Sequence, residues 1–88
     1  MARIEKQIVV NKTHGLHARP ATIFVQMANK FNSSVMVEKD GEAVDGKSII
    51  AILSLGVNKG MKVKLVAEGD DATDTIEDLR KFLEGDDD

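Results

Sequence analysis

Two histidines, His14 and His17, stand three residues apart, and Arg19 and Pro20 follow at once. Imidazole, guanidinium and a helix start form a set suited to holding an anion. An apolar series begins directly afterwards: Ala21, Phe24, Met27, Ala28 and Phe31 recur on one face of a 3.6-residue period. Pro20 sits where a first helical turn tolerates a missing N–H, so the helix starts near His17. The first N–H groups of a helix are unpaired and carry the positive end of its dipole. A phosphoryl group on His17 would meet the N–H groups of Ala18 and Arg19. Arg19 adds a planar fork of donors that matches phosphate oxygens and keeps its charge at any working pH. The same field disfavours an imidazolium, and a neutral ring is the better nucleophile toward phosphorus.

Plainer roles compete with that one. A lone histidine near a helix terminus more often caps or packs than reacts. A His14-x-x-His17 metal pair is weaker still. The chain has no cysteine, and no carboxylate lies nearer in sequence than Glu5 and Glu38, so neither a metal nor another cofactor is expected. Ser48 precedes the apolar run Ile49 to Leu53, where a serine serves as helix N-cap. As a modification site it would set a phosphate's charge among Ile49, Ile50 and Leu53, a region able to dock a partner. The two roles are compatible.

The elements that must position these groups follow from periodicity and punctuation. Ile4 to Val10 is short and β-branched, which predicts a strand, and Asn11 to Gly15 a loop. After the first helix, Val35, Val37, Ala43 and Val44 flank Lys39-Asp40-Gly41-Glu42, a hairpin signal. Ser48 to Gly56 reads as a short helix with a serine cap and a left-handed glycine stop. Met61, Val63, Leu65 and Ala67 alternate with Lys62, Lys64, Val66 and Glu68 to give a fourth strand, with Lys62 and Lys64 facing solvent. An acidic start at Asp70-Asp71 and the series Ala72, Ile76, Leu79, Phe82, Leu83 describe a last helix. The order βαββαβα predicts an α/β (α+β) fold. A crossover between the first two strands leaves a gap that a later strand fills antiparallel. The expected product is an open-faced sandwich, a four-stranded antiparallel sheet covered on one face by three helices.

Composition bounds the rest. Eighty-eight residues, 42% hydrophobic and 31% charged, suffice for a single domain over 1–88 with one core. Zero cysteines fit a reducing compartment, read here as cytoplasmic. The longest apolar run, Ile49 to Leu53, is too short to insert in a membrane, and the start lacks a signal peptide's apolar stretch. Residues 1–67 hold ten Lys/Arg against five Asp/Glu, a balance of +5, and residues 68–88 two against ten, a balance of -8, which returns the net -3. The basic body lacks the aromatic platforms of a single-strand binder, with three Phe and no Tyr or Trp, so direct nucleic-acid binding is not expected. An anionic small group or an acidic protein suits that field better. The terminal Asp86-Asp87-Asp88 reads as a frayed, solvated tail.

Gly15-Leu16-His17-Ala18-Arg19-Pro20-Ala21 resembles the active-site motif of HPr, the histidine-containing phosphocarrier family of the bacterial sugar phosphotransferase system. Lys47-Ser48-Ile49-Ile50-Ala51-Ile52-Leu53-Ser54-Leu55-Gly56 resembles the same family's regulatory-serine segment, in the matching order. Two ordered motifs in a chain of matching length are specific where one would not be. The resemblance implies that Enzyme I, charged by phosphoenolpyruvate, passes a phosphoryl group to Nδ1 of His17, which delivers it to Enzyme IIA domains. It implies that Arg19 and the helix start, with the N–H groups of Ala18 and Arg19, hold that group, and that Ile49, Ile50 and Leu53 belong to the docking surface. It implies that Ser48 is modified by HPr kinase/phosphorylase and that the modified form acts with a catabolite-control transcription regulator. Such a protein accepts and donates phosphoryl groups without turning over a small molecule of its own, and a monomer leaves its working face open.

Three departures from the family stand out, one of them the terminal Asp86-Asp87-Asp88, which matches no family role. His14 occupies a position often held by a small hydroxyl-bearing residue and puts a second titrating ring beside the first. Asp45-Gly46 precedes Lys47 where less acidic residues are expected. The competing readings are a regulatory HPr paralogue, of nitrogen or catabolite-repression type, and a small adaptor with a passive His-x-x-His. His17 argues against a paralogue lacking the active histidine, and the Ser48 segment favours the sugar type over the nitrogen type.

Overall fold

A computed structural model describes residues 2–85, and the acidic tail Asp86–Asp88 lies outside the described residues. The elements run β1 (Ala2–Val9), α1 (Ala18–Asn29), β2 (Ser34–Lys39), β3 (Glu42–Asp45), α2 (Ile49–Leu55), β4 (Lys62–Gly69) and α3 (Ala72–Glu84). The strands lie in the order β1-β4-β2-β3, and every neighbouring pair is antiparallel. The crossover from β1 through α1 to β2 thus leaves a gap, and β4 fills it, as the element order predicts.

Alternation decides which sheet face is covered. Val63, Leu65 and Ala67 of β4 are buried, while Lys62 and Glu68 are exposed and Lys64 is half-buried. Ile8 opposes Val63, and Val37 and Val35 oppose Leu65 and Ala67, so one face presents a continuous apolar layer. Against it α1 buries Pro20, Ala21, Phe24 and Ala28, α2 buries Ile52 and Leu55, and α3 buries Ala72, Ile76, Leu79 and Leu83. The other face stays open. There Lys64 lies between Glu5 at 3.5 Å and Glu38 at 3.3 Å, partly exposed pairs that add little stability.

Element ends depart from expectation where partners elsewhere decide them. β1 begins two residues before Ile4 and β4 runs on to Gly69, because Ala2 pairs with Gly69 and Arg3 with Glu68. Val10 leaves the ladder but stays buried, donating to Met61 O at 2.9 Å and accepting from Gly60 N at 2.7 Å. The apolar stripe places Phe31 on the buried face of the first helix, yet α1 stops at Asn29 and Phe31 is only half-buried. The chain turns there because Asp71 draws it away. Its carboxylate accepts from Asn32 N and Ser33 N, each at 2.9 Å, and from the Ser33 hydroxyl. Asp71 sits at the N-cap position of α3 but makes no side-chain cap for that helix. Its hydrogen bonds with Ser33 and Asn32 hold the carboxyl down at about 2.

Candidate functional site

The loop between β1 and α1 carries both histidines and is anchored at each end. Asn11 donates from its backbone N to Leu83 O at 2.8 Å and from Nδ2 to Glu84 O at 3.2 Å. Lys12, 3% exposed, holds Nζ 4.0 Å from the centre of the Phe82 ring, a cation–π contact in a site largely out of water. Both tie the loop to the end of α3. At its other end Leu16 is buried and donates to Val57 O at 2.9 Å. Leu16 points into the core, and the next residue, His17, is exposed.

Gly15 makes that route possible. It has φ +64, its N donates to Lys12 O at 2.9 Å, and a Cβ there would collide with Val57 O and lie 2.7 Å from Asn58 Cα. Only glycine accepts both the left-handed backbone and the close approach.

His17 is the N-cap of α1, with extended backbone, φ -79 and ψ -172, and its carbonyl accepts from Ala21 N at 2.8 Å. Its side chain makes no capping hydrogen bond, and the ring is not packed inside. Both plainer roles for the ring, capping and packing, are therefore unused. The N–H groups of Ala18 and Arg19 belong to the first turn, which has no intrahelical acceptor for them. Pro20 has no N–H to leave unpaired, and no acidic residue occupies that turn. His14, His17, Ala18, Arg19 and Pro20 line a shallow hollow of about 380 Å³. The two imidazole centres are 6.4 Å apart with planes at 88°, an edge contact and not a stack. The hollow thus joins a nucleophilic ring, a guanidinium and the positive end of a twelve-residue helix, with solvent access. That is the electrostatic arrangement an exposed phosphoryl group needs. No group of three or more His, Asp or Glu able to hold a metal occurs among the described residues.

Ser48 caps α2 as expected. Its Oγ accepts from Ala51 N at 3.3 Å, its carbonyl accepts from Ile52 N at 3.0 Å, and Gly56 closes the helix at φ +70. The Asp45-Gly46 departure has a local structural cause. Asp45 Oδ1 accepts from Lys47 N at 2.9 Å, and Gly46 donates to Val35 O at 2.7 Å so closely that a Cβ would meet Val35 Cγ1 at 2.5 Å. Lys47 Nζ reaches Phe31 O at 2.8 Å, fastening the α2 entry to the α1 exit. Of the three predicted docking residues, Ile50 is 74% and Leu53 41% exposed, whereas Ile49 packs partly against the core. α2 packs on α1. The anchors that sequence reasoning missed are Asn11, Lys12 and Phe82. They are 70 or so residues apart in sequence and carry no local signal.

Comparison with known proteins shows the family and agrees with the fold. The chain matches the family model described as the PTS HPr component phosphorylation site over residues 4–85. It is 44% identical over 81 residues to the HPr-like protein Crh of Halalkalibacterium halodurans, covering 92% of this chain and 96% of that one. The fold superposes on the phosphocarrier protein HPr of Bacillus anthracis with a TM-score of 0.91 and 40% identity, covering 94% of this chain and 99% of that one. It also matches Bacillus subtilis Crh, solved as a dimer with a swapping domain, with a TM-score of 0.74 and 42% identity over 91% of this chain and 92% of that one.

Proposed function

This chain belongs to the HPr family of the phosphotransferase system, and from that membership we propose that it is a phosphocarrier that takes a phosphoryl group on Nδ1 of His17 from phospho-Enzyme I and passes it to Enzyme IIA domains. The observation that carries this reading is the exposed His17 ring, uncommitted to a cap, in one hollow with Arg19 and the first turn of α1. In the transfer the lone pair of neutral Nδ1 forms the new N–P bond as the donor's P–N bond breaks. The donor ring keeps that electron pair, so no water and no free phosphate enter the balance. Arg19 and the N–H groups of Ala18 and Arg19 face the charge spread over the phosphoryl oxygens. An exposed helix start serves a relay better than a closed pocket, because each partner must bring its own acceptor in line.

A regulatory paralogue is the second reading, favoured by one finding: the curated relatives matched here include Crh proteins. In that reading Ser48 is the working site, phosphorylated by HPr kinase/phosphorylase, and the α2 surface around Ile50 and Leu53 meets a catabolite-control transcription regulator. The carrier reading uses the same α2 surface for Enzyme I and Enzyme IIA. We place the protein in the cytoplasm with these partners; no helix among the described residues is long and apolar enough to cross a membrane. A monomer suits a carrier that shows one face to successive partners, and light scattering distinguishes it from a dimer of the kind seen for the Bacillus subtilis relative.

Intact mass after incubation with phosphoenolpyruvate and Enzyme I tests the carrier reading. One acid-labile phosphoryl is expected on the parent and none on His17→Ala. No gain by the parent with several Enzyme I sources, together with ATP-dependent modification of Ser48 by a cognate kinase, overturns it in favour of the paralogue.

A further inference from the structure

We infer that Lys39 is a positioning residue for partner docking: from the end of β2 its ammonium holds the C-terminal turn of α2, and with it Leu53, in the pose that Enzyme I meets. The inference rests on the α2 surface being the docking face of a phosphocarrier. It gives a residue of the sheet a part in binding.

The strand sets the direction. Val35 and Val37 are buried on the covered face of the sheet, and Lys39 stands two residues further along β2, so its side chain leaves from that same face. It is the last residue of the strand and is half-buried. β2 pairs with β3 on one side and β4 on the other, which makes the anchor firm. From there Nζ donates to Gly56 O at 3.2 Å.

The helix end supplies the need. α2 runs only seven residues, Ile49–Leu55, with no basic residue in its last turn. A helix that short is marginal by itself, and its last carbonyls carry the negative end of its dipole without intrahelical donors. Gly56, at φ +70, turns its N back to Leu53 O at 3.3 Å, and its own carbonyl is the one Lys39 takes. An ammonium is the charge that position favours. At the other end Lys47 Nζ meets Phe31 O at 2.8 Å. The short helix is thus tied at entry and exit by lysines that stand outside it. Between the ties Ile52 and Leu55 are buried, and Leu53, 41% exposed, sits on the turn that Gly56 N closes. A docking side chain fixed before contact costs less to order at contact. A cation at an exposed helix C-terminus is worth about two- to fivefold in an equilibrium constant, and that factor is the share of Enzyme I affinity assigned to Lys39.

The test is a double-mutant cycle on the full chain. Surface plasmon resonance gives Kd for Enzyme I with the parent, Lys39→Met, Lys39→Arg, Leu53→Ser and the pair Lys39→Met with Leu53→Ser, and NMR gives backbone order parameters of the free proteins. Lys39→Met should raise Kd about two- to fivefold and lower the order parameters over residues 53–56. Lys39→Arg, whose guanidinium can reach the same carbonyl, should restore both. In the Leu53→Ser background Lys39→Met should have no further effect on Kd, because the side chain that Lys39 positions is gone. A direct contact of Lys39 with Enzyme I, or a long-range effect of its charge, would add fully to the effect of Leu53→Ser and leave the free helix unmoved. An additive cycle, unchanged order parameters in Lys39→Met, or an unchanged Kd for that variant beside a parent that binds overturns the inference. A parent that does not bind Enzyme I refutes the carrier reading instead; the order parameters then decide alone whether Lys39 holds α2, and no change there overturns the inference as well.

Discussion

Replacing Gly15 by alanine separates backbone strain from collision, because Gly60 offers a matched control. Gly15 has φ +64 and Gly60 φ +89, so an alanine at either position pays roughly 1 kcal/mol for a left-handed backbone. At Gly60 nothing lies within 4 Å of a new Cβ, while at Gly15 the Cβ meets Val57 O and sits 2.7 Å from Asn58 Cα. Both obstacles are backbone and cannot rotate away. Relieving them means moving the loop apart and loosening the Leu16 N to Val57 O bond of 2.9 Å, which adds about 1–3 kcal/mol. Gly15→Ala should therefore lose about 2–4 kcal/mol and Gly60→Ala about 1 kcal/mol. For a domain of 88 residues each kcal/mol lowers Tm by about 5 °C. The expected drops are about 10–20 °C and about 5 °C. The chain has no Trp or Tyr, so far-UV circular dichroism or calorimetry is the assay. Because the same loop delivers His17 to the start of α1, Gly15→Ala should also slow phosphoryl transfer at a temperature where it remains folded, and Gly60→Ala should not. Equal Tm values for the two variants would refute the collision argument.

Three further outcomes follow from the geometry. Asp71 is held at about 2 by Ser33 and Asn32; a depressed carboxylate stabilises the fold fully above its unfolded value of about 3.9, and that stability is lost as pH falls toward about 2. Asp71→Asn should lower Tm at pH 7 and flatten the pH dependence of Tm between about pH 4 and 2, a window that acid titration followed by circular dichroism measures directly. Ser48→Ala removes the α2 cap seen from Ser48 Oγ to Ala51 N and should cost about 1 kcal/mol, whereas Ser48→Asp, which also caps, should cost less; denaturant midpoints at constant slope compare them. Ile50→Ser alters a side chain that is 74% exposed, so stability should change by less than about 0.5 kcal/mol while Kd for Enzyme I rises, as surface plasmon resonance would show; an unchanged Kd removes Ile50 from the docking surface.

Much of this protein is legible in the chain because its signals are local. Gly15 through Ala21 and Ser48 through Gly56 each hold a cap, a stop or a turn together with the group it presents, so the N-cap position of His17, the Ser48 cap and the Gly56 stop follow from residues within one helical turn. The alternation of Met61 to Glu68 is likewise complete within its own strand, and with the element order it leads to the open-faced sandwich. Phe31 shows where this reasoning stops: its spacing fits the buried stripe, but the end of α1 is decided by Asp71, about forty residues away. The same holds for the extra residues of β1, whose pairing with Gly69 exists only once the sheet has assembled. The sequence by itself determined the types of elements, their order and the joint placement of His17 and Arg19 at a helix start, since these depend on neighbours along the chain. Only the tertiary structure decided that Lys12 and Asn11 clamp the loop to α3, that Ile49 turns inward while Ile50 faces out, and that His14 lies edge-on to His17. Those facts are contacts between distant segments, fixed by close packing of the core, and no local pattern of residues encodes them.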